Sequence, residues 1–221
     1  MYEDKYKMTI EQNIFVAKRN IVDYIWKSAK LEGLSVTYPQ TDVIFNGMSA
    51  QGVPVNDIII INNLKHAWDL VLSTTDYETD LRLACQINKL IGGENLVFNA
   101  GYVRLVDVKI GGTTWKPELP DEYKCKEDIE KILSNNSSTH TERAIDLTLY
   151  LMRGQLFHDG NKRTAMLLAN HYMITHGVGI VSIPIEKLED FKHLLVGFYE
   201  TGNTKEMKDF IYNECIDGID F

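Results

Sequence analysis

The segment from residue 156 to residue 165, LFHDGNKRTA, constrains the fold of this chain more than any other part of its sequence. An apolar pattern with helical spacing ends just before it, and a second one, from Asn161 to about His176, begins inside it. A loop between two such helices places Gly160, Asn161 and the first amide groups of the new helix around one small space. Free amide groups and the positive end of a helix dipole attract anions, so this loop predicts an anion-binding site.

The charged residues of the loop indicate which anion would fit. Lys162 and Arg163 add positive charge beside the predicted helix start. Asp159 adds a carboxylate oxygen, a ligand that suits Mg²⁺. Together these side chains predict a cradle for a polyphosphate and Mg²⁺. The alternative is a helix N-terminus followed by two surface cations, because short motifs often occur by chance.

Helical spacing recurs along most of the chain. Between Ile10 and Ala29, apolar residues follow one another at intervals of three or four, and Gly33 fits the end of that helix. Pro54 fits the start of another. The patterns predict helices at residues 9–32, 40–48, 54–73, 78–91, 121–134, 139–153, 161–176, 185–200 and 204–215.

One segment has a different character. Residues 99–115 alternate in part between apolar and polar side chains, and they include Gly111-Gly112, so they predict a short β-hairpin. Pro117 and Pro120 then exclude regular structure until the next helix. Because the sequence contains no internal repeat and no low-complexity linker, we expect one mainly α-helical domain over residues 1–221, with this hairpin as its sheet.

Composition narrows the class of protein. The net charge of −8 argues against a general nucleic-acid binder, whose affinity depends on neutralising phosphates. Cys85, Cys125 and Cys215 lie far apart, which predicts free thiols rather than a zinc site or a disulfide framework. The sequence shows neither a signal-peptide pattern nor an apolar run of about 20 residues. We therefore expect a cytoplasmic protein that binds neither nucleic acid nor membrane.

The loop also resembles the signature of the Fic/Doc family, usually written HxFx[D/E]GN[G/K]R, and its NKRTA ending is closer to the Doc-like form. The matching residues are Phe157, Asp159, Gly160, Asn161, Lys162 and Arg163. The resemblance extends over roughly residues 10–215 and implies a Fic-type helical domain with residues 155–176 as the signature loop and helix. It further implies that ATP is the substrate and Mg²⁺ its metal. By this resemblance Asp159 holds the metal, and the nucleotide is bound by Gly160, Asn161, Lys162 and Arg163.

A second resemblance to the same family lies at the end of the first predicted helix, in the segment of residues 10–33. Ser28, Glu32 and Gly33 fit the inhibitory pattern [S/T]xxxE[G/N] of relatives in which the glutamate enters the nucleotide site and pairs with an arginine for the γ-phosphate. That arginine usually lies three residues past Arg163, where this chain has Met166. Glu32 would therefore have to pair with Arg163 or Lys162. A carboxylate there would compete with phosphate for the same cation.

The predicted hairpin resembles the flap of the same family, which covers the site and pairs with an extended segment of the target protein. We call residues 99–116 the flap segment. The resemblance implies that Gly101, Arg104 and Ile110 take part in docking the target. The alternative is an ordinary hairpin with an exposed edge.

One position departs from the signature. Gln155 stands where the family has its catalytic histidine, a general base that takes the proton of the target hydroxyl. Glutamine has no titratable group, and loss of a general base typically costs 10²–10⁴-fold in rate, or about 3–5 kcal/mol of barrier. His158, three residues later, is not expected to point at the substrate, although it remains a candidate base.

Three functions stay open at this stage. The chain could be a protein adenylyltransferase of weak or unusual activity, which moves AMP from ATP to a hydroxyl of an unknown target protein. It could be a catalytically inactive nucleotide-binding module with a regulatory role. It could also be a Doc-like phosphotransferase toxin. Homo-oligomer formation is left open.

Overall fold

The computed structural model describes residues 2–93 and 96–220 of the chain. Met1 and Phe221, the two ends of the predicted domain, lie outside the described residues. The described residues form α1 (Ile10–Leu31), α2 (Tyr38–Phe45), α3 (Val55–Ser73), α4 (Leu81–Gly92), α5 (Glu122–Leu133), α6 (His140–Gly154), α7 (Asn161–His176), β1 (Ile180–Val181), a short 3₁₀ helix (Ile185–Lys187), α8 (Leu188–Thr201), α9 (Lys205–Glu214) and β2 (Ile216–Asp217). The mainly helical prediction is confirmed, and each predicted helix is present within three residues of its expected ends.

Local sequence explains where most helices begin. Thr9 caps α1 by accepting a hydrogen bond from the Gln12 N–H, and the Gln12 side chain accepts from the Thr9 N–H in return. Thr37 and Gln40 form the same reciprocal pair at the start of α2. Each pair satisfies two backbone N–H groups that have no partner within the helix. The four residues from the threonine to the glutamine therefore determine where each helix begins.

The centre of the molecule is α7. Every residue from Arg163 to Ile174 is buried, as is Asn161, and the helix is surrounded by α1, α3, α4 and α6. The polar side chains of a helix that is buried on all sides need hydrogen-bond partners within the protein. Asn170 does so by pairing with both the N–H and the C=O of Val181, at 2.6 and 3.0 Å, which ties β1 to the helix.

The small sheet does not lie where the sequence predicts it. The prediction of a hairpin at residues 99–115 is wrong, because that segment contains no strand and runs as turns and irregular backbone. The antiparallel pair of the described residues is β1 with β2, in which Ile180 lies opposite Asp217 and Val181 opposite Ile216. The flap segment is instead held in place by side chains, as described below.

The expectation of free thiols is confirmed for all three cysteines. Cys125 and Cys215 are buried and Cys85 is half-buried. Burial raises the pKa of Cys85 to about 11 and that of Cys215 to about 12, so both thiols stay protonated at neutral pH. Within the described ranges, no helix is both long enough and apolar enough to cross a membrane.

Candidate functional site

A cavity of about 390 Å³ lies at the N-terminus of α7, and we call it the α7 cavity. Four parts of the chain enclose it: the end of α1, the signature loop, the middle of the flap segment at residues 108–111, and one face of α8. The side chains of Glu32, His158, Asp159, Lys162, Ile110 and Tyr199 are among those that line it. The structure thus brings together half of the site residues that the sequence predicts, although they come from distant parts of the chain.

The backbone at the start of α7 presents free donors to this cavity. Gly160 precedes the helix with a φ of +76°, a backbone conformation that residues other than glycine rarely adopt. The backbone N–H groups of Asn161, Lys162 and Arg163 have no hydrogen-bond partner among the described residues. The positive end of the helix dipole adds to them, and free amides at a helix N-terminus are the arrangement that favours an anion.

Charged side chains surround these amides in a compact group. Glu32, at the end of α1, lies 3.5 Å from Lys162 through Oε1 and Nζ, and 3.7 Å from Arg163 through Oε2 and Nη2. Asp159 Oδ1 lies 3.7 Å from the same Arg163 nitrogen. The side chain of Arg163 is 6% exposed and that of Glu32 is 15% exposed, whereas that of Asp159 is 63% exposed. Glu32 therefore reaches the two cations that the sequence analysis named.

The fit within this group is incomplete. Glu32 Oε1 and Arg163 Nε are both buried, and neither has a hydrogen-bond partner among the described residues. Distances of 3.5 and 3.7 Å are longer than those of charge-assisted hydrogen bonds. A buried polar atom without a partner costs about 1–3 kcal/mol, so the site has unused capacity to bind a polar ligand.

The other inhibitory-pattern residues shape the end of α1. The carbonyl of buried Ser28 accepts the Glu32 N–H at 3.3 Å. Gly33 follows with a φ of +86° and stops the helix. These contacts place the Glu32 side chain at the start of α7 through ordinary helix termination.

Gln155 caps the end of α6 in a left-handed conformation, with φ of 47° and ψ of 57°. Its side-chain amide is used at both ends. Nε2 donates to the Met152 carbonyl at 2.6 Å, and Oε1 accepts from Asn161 Nδ2 at 3.1 Å. The side chain at the family's histidine position is therefore held by hydrogen bonds to two neighbouring residues of the protein.

Asn161 acts on the loop through its side chain. Its Oδ1 accepts the Phe157 N–H at 2.9 Å, and its Nδ2 donates to the Phe157 carbonyl at 2.8 Å as well as to Gln155. Both donors of the amide are thus engaged. Asn161 can contribute to anion binding only through its backbone N–H.

The sequence analysis did not identify Asn88, which lies in α4 and is 1% exposed. Its Nδ2 donates to the Asp159 carbonyl at 2.9 Å and to the Thr164 hydroxyl at 3.1 Å, and its Oδ1 accepts the Gly101 N–H at 2.8 Å. One buried amide therefore joins α4, the signature loop, α7 and the flap segment. No local pattern in the sequence marks an asparagine for this role.

One of the three residues assigned to target docking is corrected by the structure. Arg104 is 1% exposed, and its guanidinium binds backbone carbonyls inside the protein, so it cannot contact a target. Gly101 packs against α4, where a Cβ would lie 2.6 Å from that of Lys89. Gly101 is half-buried and Ile110 lies at the α7 cavity, so the docking role of both residues stays a prediction.

A further contact of the flap segment involves Glu200 at the end of α8. Its carboxylate accepts hydrogen bonds from the Thr113 hydroxyl and from the Thr114 N–H, the latter at 2.7 Å. These hydrogen bonds hold the pKa of Glu200 below its usual range, so the carboxylate is charged at neutral pH. The flap segment is therefore fastened to α8 near its far end.

Two aromatic side chains, those of His158 and Tyr199, also line the cavity. His158 lies edge-on to Phe98, with ring centroids 5.5 Å apart. Burial, and then the nearby Glu32 carboxylate, raise the pKa of Tyr199, which stays neutral. Within the described ranges, no three His, Cys, Asp or Glu side chains are grouped as a metal site.

Comparison with known proteins agrees with this arrangement. Residues 78–173 match the model of the Fic/DOC family. No curated protein has significant sequence similarity to the chain. Among solved structures, Fic-1 from C. elegans is similar with a TM-score of 0.76 and 20% identity, over 90% of this chain and 62% of that one. This chain thus spans less than two thirds of the Fic-1 chain.

Two bacterial structures are also similar. A Fic domain containing signaling protein from Bacteroides thetaiotaomicron has a TM-score of 0.73 at 17% identity, over 89% of this chain and 77% of that one. BepC from Bartonella tribocorum, with bound AMPPNP, has a TM-score of 0.52 at 16% identity, over 70% of this chain and 85% of that one. At such identities the likeness shows a shared fold.

Proposed function

Because residues 78–173 match the model of the Fic/DOC family, we propose that this chain is a Fic-type nucleotide-binding protein that acts as a protein adenylyltransferase of weak or unusual activity. Its substrates are ATP and a hydroxyl group of a target protein. The hydroxyl oxygen attacks the α-phosphate, the bond to the leaving pyrophosphate breaks, and AMP remains on the target.

The observation that carries the proposal is the set of three unpartnered amides at the start of α7, beside the buried Arg163. Amides, a helix dipole and a guanidinium are the groups that bind phosphate oxygens in proteins. The α7 cavity is of a size that accepts part of a nucleotide. The AMPPNP bound by BepC, which shares the fold, supports a nucleotide rather than another anion.

Asp159 fits a role in holding Mg²⁺. Mg²⁺ in nucleotide sites is commonly bound by one or two carboxylates together with phosphate oxygens and water, so a single exposed carboxylate is sufficient. The metal would neutralise phosphate charge. Asp159 is already placed for this, because its Oδ1 accepts the Gly160 N–H at 2.6 Å and so lies at the mouth of the amide group.

Glu32 opposes nucleotide binding in this proposal. Its carboxylate occupies the space next to Lys162 and Arg163, and a phosphate would have to displace it from both. The displacement is not costly, because neither contact is a short hydrogen bond and Glu32 Oε1 lacks a hydrogen-bond partner. Glu32 therefore lowers affinity for the nucleotide without closing the site.

Gln155 limits the chemical step. It cannot accept the proton of the attacking hydroxyl, and its amide is bound to Met152 and Asn161. What remains is positioning and electrostatic stabilisation by the α7 amides and Arg163. The same observation favours a second candidate function, a nucleotide-binding module without catalysis, because the residue at the reaction position is used structurally.

The first test measures nucleotide binding by calorimetry with ATP and Mg²⁺. Arg163→Ala should weaken binding at least tenfold relative to the wild type, because the buried guanidinium lies beside the Glu32 and Asp159 carboxylates that line the α7 cavity. Arg82→Ala, which removes an exposed arginine of α4, is the matched control and should bind as the wild type does. Equal affinities for the Arg163 and Arg82 variants would contradict the assignment of the site.

The second test separates the two candidate functions. Labelled ATP is incubated with a protein lysate and the wild type, Gln155→His, or Gln155→His combined with Glu32→Gly. A histidine restores the missing base, so labelling should rise by about 10²–10⁴-fold, most strongly in the double variant. If the variants bind ATP but label nothing, the binding module is the correct function. Wild-type labelling as strong as that of the variants would show that Gln155 is not the defect.

A further inference from the structure

The guanidinium of Arg104 lies in an unusual environment for a charged group. The side chain is 1% exposed, and among the described residues it forms no ion pair with a carboxylate. Burial lowers the pKa of Arg104 below its ordinary value. A buried charge is costly unless its donors are satisfied, so its hydrogen bonds must account for its presence.

Those hydrogen bonds all go to backbone carbonyls. Nε donates to Gln155 at 2.6 Å, Nη1 donates to Val106 at 2.8 Å, and Nη2 donates to Glu118 at 2.5 Å. A longer contact from Nη2 reaches Pro117 at 3.5 Å. The Arg104 backbone N–H adds a bond to the Leu156 carbonyl at 2.9 Å.

The acceptors belong to two parts of the site. Val106, Pro117 and Glu118 lie at the two ends of a loop, and this loop carries residues 108–111 to the α7 cavity. Gln155 and Leu156 lie at the end of α6, where the signature loop begins. One planar fork of donors therefore spans the base of the flap loop and the backbone of the reaction position. A lysine cannot do this, because its ammonium is a single point of charge.

We propose that Arg104 is a positioning residue that holds the flap loop and the backbone of residue 155 in one fixed relation. Glu200 fastens the outer part of the same loop through Thr113 and Thr114, so Arg104 supplies the inner anchor. The inference rests on the proposed function for its role in target binding. A target segment laid along the loop then meets the α7 cavity at a distance that Arg104 sets.

The test is hydrogen exchange of the flap segment in two variants and a control. Arg104→Met keeps the apolar stem and removes every donor, and Arg104→Lys keeps the charge but not the fork. Arg143→Met is the matched control, because Arg143 also binds carbonyls, those of Leu133, Asn135 and Ser138, at the other end of α6. We expect three hydrogen-bonded amides of the flap segment, those of Arg104, Thr114 and Trp115, to exchange at least tenfold faster in both Arg104 variants and to be unchanged in the control.

Two outcomes would overturn the proposal. The first is exchange in Arg104→Lys within twofold of the wild type at the amides of residues 104, 114 and 115, and this variant serves even if Arg104→Met fails to fold. The second is an equal rise over the whole chain, since that would make Arg104 a general stabiliser rather than an anchor of the flap loop.

A kinetic measurement links the anchor to target binding. In the Gln155→His background, Arg104→Lys should raise the KM for the target protein severalfold while the calorimetric affinity for ATP changes by less than twofold. Lost ATP affinity in the Arg104 variant would mean that the residue supports the nucleotide site instead. If Gln155→His itself labels nothing, the proposed function fails, whereas the exchange result stands independently.

Discussion

Asn88 provides the sharpest test of how the site is built. Asn88→Asp replaces the NH₂ group of the side chain with an oxygen and hardly changes the side-chain volume. The aspartate keeps an oxygen that can accept the Gly101 N–H, and the Thr164 hydroxyl can turn to donate to the other oxygen. The bond to the Asp159 carbonyl is lost, and two oxygens then face each other where the amide donated at 2.9 Å. The change therefore isolates one hydrogen bond and one buried charge.

The cost can be worked out from these contacts. A buried carbonyl left without its donor costs about 1–3 kcal/mol, and a carboxylate at a site 1% exposed adds a desolvation cost. We expect a loss of about 3 kcal/mol in the free energy of unfolding at neutral pH. For a chain of this size that corresponds to a fall of roughly 6–12 °C in Tm.

The expected pH dependence has a definite sign. Burial raises the pKa of the new carboxyl in the folded state, so the folded state binds more protons than the unfolded state above the ordinary carboxyl pKa of about 4. The destabilisation of the variant should therefore grow as the pH rises from about 4 to neutrality.

Thermal unfolding followed by circular dichroism at pH 5 and pH 7 measures both effects. Asn56→Asp makes the same chemical change at an exposed position of α3 and should alter the free energy of unfolding by less than about 0.5 kcal/mol. A loss in Asn88→Asp as small as in this control, or one that does not change with pH, would refute the hydrogen-bonding scheme at Asn88.

Two further predictions concern stability elsewhere in the fold. Gly177 has a φ of +67°, and a Cβ there would lie 1.9 Å from the Met8 carbonyl oxygen, so Gly177→Ala should lower the free energy of unfolding by more than about 2 kcal/mol. Gly197→Ala, in an open position of α8, should raise it by about 0.5–1 kcal/mol, and denaturant unfolding compares the two. His171 lies between the Thr79 hydroxyl at 2.7 Å and the Thr74 carbonyl at 2.9 Å, and burial lowers its pKa. Since the unfolded state then takes up a proton more readily, stability should fall as the pH drops below about 6.5, and His171→Gln should remove that part of the pH dependence of the unfolding free energy.

The sequence predicted helices well because their signals are local. The start of α7 at Asn161 and its end near His176 follow from glycines on either side, and the helix has those limits. The β1–β2 pair could not be predicted, because two residues per strand carry no periodicity and the partners are distant in the chain. The hairpin was predicted wrongly because residues 99–115 do show partial alternation. Such alternation in a short segment does not ensure that a partner strand exists.

The same distinction holds within the site. The signature loop carries its own pattern, so the free amides and the approach of Glu32 to Lys162 and Arg163 could be expected. Arg104 was assigned to target docking by the resemblance of its segment to the flap, and only the fold supplies the carbonyls that bury it. Asn88 gave no signal, because its partners come from the flap segment and the signature loop.

The placement of α1 against α7 bears on how Glu32 could be removed from the site. Next to the start of α1, the Met8 N–H donates to the Gly177 carbonyl at 2.8 Å, while at the other end Glu32 meets the first turn of α7. The two helices are thus antiparallel, and Val16, Ala17, Ile25 and Ala29 of α1 are fully buried between these ends. During synthesis α1 emerges first but cannot complete these contacts until α7 and Gly177 have followed. A shortened chain that lacks α1 would lose part of its interior along with Glu32, so truncation would report on folding, and only a point substitution can report on inhibition.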